Sequence, residues 1–326
     1  MQGVETSRLT MQLKRPFDWR RLVFAHGWVH LAPFVYCEQT HMLTRPLRRG
    51  LGSVKVSITP TPPRARAGKV DSLTVAIEHD TPLDRQDKPF IRQQIERMLR
   101  LAEDFSAFHE LCRSDELLRF VARHRCGGLL RAPTAFEDVI KTVATTNCDW
   151  RNTKSMCEKL CALDRDGNFP DPQTILRYNV RQLASKTKCG YRARTMRTIA
   201  AMTVEGKLPL DEWASAREFD RIAEVLGGVW GIGPYALSHI LVLLGDYRAI
   251  PVDSEIIKYL RKTHFNGRSV SPKKAVEPYE RYGDFRFLAF KFGRMARREN
   301  YIDYLGKQEK AARAVLRGRR VTKRSS

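Results

Sequence analysis

The sequence lacks any apolar run long enough to cross a membrane. Its longest apolar stretches, such as the one from Ala236 to Gly245, include polar residues and are far shorter than the about 20 apolar residues of a membrane-spanning helix. The N-terminal segment also lacks the apolar core and small-residue cleavage site of a secretory signal peptide. We therefore expect an intracellular protein without a membrane segment.

The seven cysteines lack a recognisable disulfide or metal-binding pattern. Their number is odd and their spacing irregular, which is typical of reduced thiols inside a cell. A metal site is the alternative interpretation of Cys148, Cys157 and Cys161, but their spacing fits neither a zinc ribbon nor the usual iron–sulfur motifs. We expect no metal and no other cofactor.

Acidic residues are scarce. The 326 residues include 58 Lys and Arg against 36 Asp and Glu, which gives a formal net charge of +22. Hydrophobic residues still make up 42% and aromatic residues 9% of the chain, so it is not a disordered basic tail. A folded chain with this charge is expected to bind a polyanion.

The hydrophobic pattern changes from strands to helices near residue 89. Four segments between residues 17 and 80 alternate apolar and polar residues, which is typical of strands: WVHLAPFVY, HMLTRPL, GSVKVSITP and DSLTVAIEH. The proline-containing residues 59–68 are expected in a hairpin loop. Beyond Pro89 the apolar period is helical. We predict an α+β, mainly α fold: a small N-terminal antiparallel sheet domain over 1–88, a helical domain over 89–305 and a basic C-terminal tail over 306–326. Eight to eleven helices are expected from residue 90 to about 318.

Helix starts are predicted where N-cap residues precede apolar helical patterns. The predicted starts are Ser114, Thr134 with Glu137, Ser215 with Glu218, and Ser271 with Pro272. On the strand side, His26, Trp28 and His30 alternate, so we expect them to share one strand face rather than to bind a ligand.

A glycine-rich turn separates two predicted helices at Gly231, Ile232 and Gly233. Pro234 follows at a natural first helical position, so unpaired backbone N–H groups at the start of this helix can bind a phosphate. Such a contact holds a DNA backbone without reading bases. The alternative is that these glycines simply end one helix and begin another.

Asp253 follows the short extended segment Ile250–Val252 and precedes a new helix. Its simplest role is to cap that helix by accepting hydrogen bonds from backbone N–H groups. The order of hairpin, apolar helix, crossover and Val-Asp at a helix start resembles the helix-hairpin-helix (HhH-GPD) superfamily of DNA glycosylases. This resemblance implies a catalytic role for Asp253, with capping retained.

Two upstream segments are similar to the 3-methyladenine and 8-oxoguanine branches of that superfamily. CGYRARTMRTIAAM resembles a motif whose tyrosine and its neighbours wedge into the base stack, and TTNCDWRNTKSMCEKLC resembles a segment whose asparagine faces the widowed base. The resemblance assigns these roles to Tyr191, Arg192 and Asn147. Packing of Tyr191 in the core and capping by Asn147 are the alternatives.

The sequence departs from the family pattern at the position where bifunctional members have the lysine that forms a Schiff base. That position is Tyr235, which has no primary amine, so strand cleavage by β-elimination is expected to be absent or weak. The four cysteines that hold an iron–sulfur cluster in one branch are also missing, because no cysteine follows Cys189.

Taken together, the resemblance predicts a monofunctional DNA glycosylase that acts on double-stranded DNA as a monomer. An alkylated or otherwise modified base, including a modified base of phage DNA, ranks ahead of 8-oxoguanine as the substrate. Arg192, Arg194, Arg197 and Lys258 are candidates for phosphate contacts, and Phe285, Phe287 and Phe290 are expected in the core. The alternatives are a non-catalytic DNA-binding or damage-sensing protein, an 8-oxoguanine-type glycosylase, and a lyase that uses a different lysine.

Overall fold

The computed structural model describes residues 4–50, 52–61 and 69–297. Five strands form one antiparallel sheet of order β1-β5-β4-β3-β2. The strands are β1 Glu5–Asp18, β2 Val35–Cys37, β3 Met42–Arg49, β4 Gly52–Thr61 and β5 Lys69–His79. The predicted tail over 306–326, and the end of the predicted helical domain, lie outside the described residues.

One α-helix lies between β1 and β2, and the others follow the sheet in the chain. The α-helices are α1 Trp19–Phe24, α2 Asp87–Met98, α3 Ser106–Arg113, α4 Arg119–His124, α5 Ala135–Thr145, α6 Trp150–Cys161, α7 Pro172–Leu176, α8 Val180–Thr187, α9 Arg192–Val204, α10 Leu210–Ser215, α11 Phe219–Gly227, α12 Pro234–Leu244, α13 Ser254–His264, α14 Pro272–Val276 and α15 Arg286–Ala296. Within the described residues, α2 to α15 are more numerous than the eight to eleven expected, because several are only one or two turns long. None of the helices in the described residues is long and apolar enough to span a membrane.

Two predictions for the sheet region were wrong. β1 was not predicted before residue 17, because it is an edge strand with many polar and exposed side chains, and Met11 and Asp18 are its only buried residues. The segment WVHLAPFVY is not one strand: a 3-10 helix covers Trp28–His30, and β2 begins only at Val35. Trp28 is therefore buried and His30 exposed, instead of sharing a strand face.

The predicted helix starts were half right. Thr134 accepts a hydrogen bond from the N–H of Glu137 at 3.2 Å, and Ser271 caps α14 in the same way, as expected. Ser215 instead ends α10, where its hydroxyl donates to the Asp211 carbonyl at 2.7 Å, a bond that keeps it inside the helix. Ser114 likewise follows the end of α3.

Helix α12 is the element on which the apolar cores converge. It is apolar on all sides, which is typical of a buried helix. Its residues enter three separate clusters: Ala236, Ile240 and Leu244 join the core of the helical region, Leu243 joins the core beneath the sheet, and Val242 joins the core around α3, α4 and α15. Helix α12 is thus held by packing from several directions.

The aromatic residues of the final segment lie in the core, as expected. Phe287 and Phe290 are buried in the cluster around α15, and the half-buried Phe285 stacks on Phe108 with ring centroids 5.4 Å apart. These rings fix α15 against α3.

A buried ion cluster joins the sheet to α5. Arg45 on β3 donates two hydrogen bonds to Glu137, at 2.9 and 3.1 Å, and Lys141 lies 2.7 Å from the same carboxylate. Burial by itself raises the pKa of Glu137, but the charges of Arg45 and Lys141 outweigh it and hold the pKa at about 2. The carboxylate therefore stays ionised and links two cations across the junction.

Candidate nucleic-acid interface and catalytic site

The turn between α11 and α12 requires glycine at position 231. Gly231 has φ +88°, and a Cβ there would lie only 2.3 Å from the Thr195 hydroxyl oxygen on α9. The same hydroxyl donates a 2.9 Å hydrogen bond to the Trp230 carbonyl. Helix α9 therefore fixes the conformation of the turn, and a side chain at 231 has no room.

The turn exposes its glycines and buries its isoleucine. Gly231 and Gly233 are exposed, whereas the Ile232 side chain is 7% exposed and packs in the helical core. Gly233 is the N-cap of α12 but has no side chain to cap it, and a Cβ added at this position would meet no atom within 4 Å. The first-turn N–H groups that follow Pro234 are thus available to an anion such as phosphate.

Asp253 is the N-cap of α13. Its Oδ1 accepts a 2.7 Å hydrogen bond from the N–H of Ile256, and the side chain is half-buried. No hydrogen bond to Oδ2 occurs within the described part of the chain. One carboxylate oxygen thus fixes the side chain while the other remains available, so the capping role and a chemical role are compatible.

Tyr235, in the first turn of α12, connects Asp253 to a group of rings that sequence reasoning missed. Burial raises the pKa of Tyr235 to about 12, and the negative charge of Asp253 adds to the shift. The Tyr235 hydroxyl lies 3.3 Å from Nδ1 of His239, whose Nε2 lies 2.9 Å from Nε2 of His26. Trp28 stacks on His239 with ring centroids 5.6 Å apart.

Both histidines of this group are neutral at physiological pH. Burial, and then the charge of Lys291, lower the pKa of His239 to about 3. Burial and His239 lower the pKa of His26 well below its usual value. Nδ1 of His26 is buried without a hydrogen-bond partner in the described residues. The ring group therefore offers aromatic surface and uncharged hydrogen-bonding groups next to Asp253.

The sequence held one signal for this ring group. His239 is one of few polar residues on an otherwise apolar helix, which marks it as a buried polar side chain in need of a partner. Its partner His26 is 213 residues away in the chain, and no local pattern connects the two.

Asn147 and Tyr191 come together although 44 residues separate them. The Asn147 side-chain amide donates to the Tyr191 hydroxyl at 3.1 Å, and the Tyr191 side chain is 47% exposed. Asn147 has φ +46° and follows Thr146, the C-cap of the preceding helix α5, while Asp149 caps the start of α6. An exposed, hydrogen-bonded pair of this kind is a candidate for insertion into a base stack.

The predicted phosphate-binding arginines have different environments. The Arg192 side chain is buried, and its guanidinium donates to the carbonyls of Thr146 and Asn147, so it supports the turn that carries Asn147. Arg197 donates to carbonyls at the end of α7. Arg194 lies over the Trp230 ring, 5.0 Å from its centroid, and Lys258 is exposed on α13.

Sequence reasoning also missed Trp230, at the tip of the turn. Its side chain is 53% exposed, and its ring centroid lies 6.0 Å from that of Tyr191 at an interplanar angle of 86°. The signal was available, because a tryptophan beside the first hairpin glycine has no obvious partner within the turn.

No cluster of metal-binding side chains occurs in the described residues. Burial raises the thiol pKa values of Cys157 and Cys161 to about 12. These two thiols behave as core residues.

The comparisons with known proteins give a weak similarity in sequence and a clear similarity in fold. No family model matches the chain. Over 146 residues it is 23% identical to the DNA-3-methyladenine glycosylase 1 of Schizosaccharomyces pombe, a segment that is 44% of this chain and spans only 63% of that enzyme.

Several solved structures match most of the chain, and two of them illustrate the likeness. A 3-methyladenine DNA glycosylase from Archaeoglobus fulgidus has a TM-score of 0.68 at 19% identity, covering 89% of this chain and 99% of its own. The 8-oxoguanine glycosylase/lyase of Clostridium acetobutylicum, solved with double-stranded DNA, has a TM-score of 0.61 at 16% identity, covering 87% and 96%. This likeness confirms the predicted fold class and the predicted resemblance to the two glycosylase branches.

Proposed function

We propose, from the fold shared with these helix-hairpin-helix glycosylases, that the protein is a monofunctional DNA glycosylase. It binds duplex DNA, flips a modified base out of the stack, and hydrolyses the N-glycosidic bond to leave an abasic site. The observation that carries the proposal is the half-buried Asp253, which is close enough to Tyr235, two residues after Gly233, for its charge to raise the pKa of that hydroxyl.

DNA binding is supported by the exposed turn and by the charge. Gly231 and Gly233 leave backbone N–H groups open to a phosphate, and the net charge of +22 attracts the DNA backbone at long range. Such binding weakens as salt increases, because bound counterions are released from the DNA.

Base flipping is supported by the Asn147–Tyr191 pair. A flipped nucleotide leaves a gap that costs a few kcal/mol in lost stacking. The exposed Tyr191 ring fills that gap and Asn147 hydrogen-bonds the widowed base, while the buried Arg192 positions the turn.

In the chemical step, the bond from C1′ to the base nitrogen breaks and its electron pair leaves with the base. The carboxylate of Asp253 stabilises the positive charge that develops on the sugar. The oxygen of a water molecule bonds to C1′, its proton passes to Asp253, and the departing base takes a proton from solvent. Tyr235 supplies no amine, so no imine forms at this position.

The extruded base meets the ring group of Tyr235, His239 and His26. These side chains are partly accessible and neutral, so they present stacking surface and hydrogen-bonding groups without adding positive charge. An alkylated or otherwise modified base, including a modified base of phage DNA, is our proposed substrate, ahead of 8-oxoguanine.

A panel of duplexes tests the proposal. Each duplex carries one alkylated, oxidised, deaminated or hypermodified base and is incubated with the wild-type protein, with and without later alkali. We expect release of at least one base, and strand breaks only after alkali. Tight, salt-sensitive binding without release from any duplex would favour a non-catalytic DNA-binding protein instead.

Borohydride trapping on the same panel tests the absence of lyase chemistry. Lys141 is fully buried and paired with Glu137, so it is not available to a sugar. We expect no covalent protein–DNA adduct. An adduct would instead indicate a lyase that uses another lysine, and Lys291, whose charge acts on His239, is the first to replace.

A further inference from the structure

Two exposed aromatic side chains form a ridge beside the glycine turn. Tyr191 is 47% exposed and Trp230 is 53% exposed, and their rings meet edge to face with centroids 6.0 Å apart. We call these two residues the aromatic ridge. Single exposed apolar side chains are common on protein surfaces, whereas two exposed aromatic rings in contact form a small apolar patch that a ligand can cover.

The ridge is cationic as well as aromatic. The guanidinium of the exposed Arg194 lies 5.0 Å from the Trp230 ring centroid. The Arg192 guanidinium lies 4.7 Å from the Tyr191 ring centroid, but it is buried and donates to backbone carbonyls. Exposed rings beside an arginine complement nucleotides, because bases stack on the rings while a phosphate attracts the Arg194 guanidinium.

Trp230 is held in place before any ligand arrives. The Thr195 hydroxyl donates to its carbonyl at 2.9 Å, and the next residue, Gly231, is packed so closely on Thr195 that a Cβ there would lie 2.3 Å from Oγ1. The turn cannot shift without losing these contacts. The backbone of the glycine turn, which we propose to bind a DNA phosphate, therefore also keeps the Trp230 indole exposed.

We propose that Trp230 is a second DNA-contacting aromatic residue, which packs against the nucleotide next to the gap that Tyr191 fills. The duplex is then held open by two rings instead of one, and the hairpin contributes apolar contact in addition to its phosphate contact. This inference rests on the proposed DNA binding and flipping, and it concerns a residue outside the chemical step.

Binding to a duplex with a tetrahydrofuran abasic analogue measures the contact without catalysis. We expect Trp230→Ala to weaken binding to this duplex about tenfold and to reduce its preference over an undamaged duplex, while Trp230→Phe keeps most of both. Phe90→Ala is the matched control, because Phe90 is 45% exposed on α2, which packs against β3. Thermal unfolding checks that each variant folds.

Fluorescence gives an independent readout. Of the five tryptophans, Trp19, Trp28 and Trp213 are at most 7% exposed, and Trp150 is 42% exposed. In a Trp150→Phe background, acrylamide quenching therefore reports mainly on Trp230. We expect the abasic-analogue duplex to protect this signal from acrylamide.

The possible failures are distinct. If Trp230→Ala binds the analogue as the wild type does, or if the duplex leaves quenching unchanged, the inference about Trp230 is wrong, even when the wild type releases bases. If no base is released but Trp230→Ala still loses the preference for the analogue, the inference about the aromatic ridge is supported and the proposed catalytic function is wrong.

Discussion

At the scale of the residue, the neutral pair of His26 and His239 makes the free energy of unfolding depend on pH. The pKa of His239 falls from the usual 6.5 to about 3, mainly because the ring is buried. A histidine whose pKa is lower in the folded protein takes up its proton more readily in the unfolded chain. The contribution of this histidine to the free energy of unfolding is therefore fully present above pH 6.5, and it is lost as the pH falls from 6.5 towards 3.

This shift predicts a pH-dependent difference between the wild type and His239→Gln. By pH 5 the wild type loses up to about 2 kcal/mol through this one residue, a loss that glutamine does not share. Urea unfolding at pH 7 and pH 5 measures the effect. We expect the stability advantage of the wild type to shrink at the lower pH, and an advantage that is constant or larger would show that His239 is not held neutral.

At the scale of the element, features that depend on local spacing could be predicted from the sequence, whereas features that depend on distant partners could not. The positions of Gly231, Gly233 and Asp253 follow from local spacing, since turn and cap preferences act within a few residues. β1, the ring group and Trp230 depend on partners far along the chain, such as Thr195 beneath the turn. Their roles emerge only when α9, α12 and the N-terminal region are packed together.

The turn makes a prediction in which the two glycines differ. Gly231→Ala places a Cβ against Thr195 at a positive φ, so it is expected to lower stability by about 1–3 kcal/mol and to weaken binding to undamaged duplex DNA. Gly233 has φ −88° and open space around it, so Gly233→Ala is expected to cost less than about 1 kcal/mol of stability. Thermal unfolding and fluorescence anisotropy measure the two effects. Equal losses of stability would contradict the assigned turn geometry.

At the scale of the whole molecule, the sheet and the helices are joined by charge as well as by apolar packing. Glu137 lies between Arg45 and Lys141, and all three side chains are almost completely buried. Composition and charge predicted a folded, basic chain with a polyanionic partner, but this internal cluster was not predicted, because its members come from distant segments. It links β3 in the N-terminal region to α5, which packs against α12, the helix that follows the turn.

Removal of the central carboxylate tests this junction. Glu137→Gln leaves two buried cations without a counter-charge and is expected to lower stability by about 3–5 kcal/mol. The matched control is Glu78→Gln, because Glu78 pairs with Lys55 at 3.0 Å on the exposed side of the sheet, where a pair contributes less than about 1 kcal/mol. Urea unfolding of both variants measures the difference, and similar small losses would mean that the buried cluster does not hold the junction.

The central claim is that Asp253 combines helix capping with base excision. Asparagine caps helices as well as aspartate does, so Asp253→Asn is expected to keep the stability and DNA binding of the wild type. It removes the charge that stabilises the sugar and the group that accepts the proton of water, which is expected to slow base release at least about 100-fold.

Single-turnover base release by the wild type and by Asp253→Asn, on a duplex that the wild type processes, is the most direct test. Loss of release by a variant that folds and binds DNA normally is the predicted result. Equal release by the two proteins would contradict the proposed mechanism.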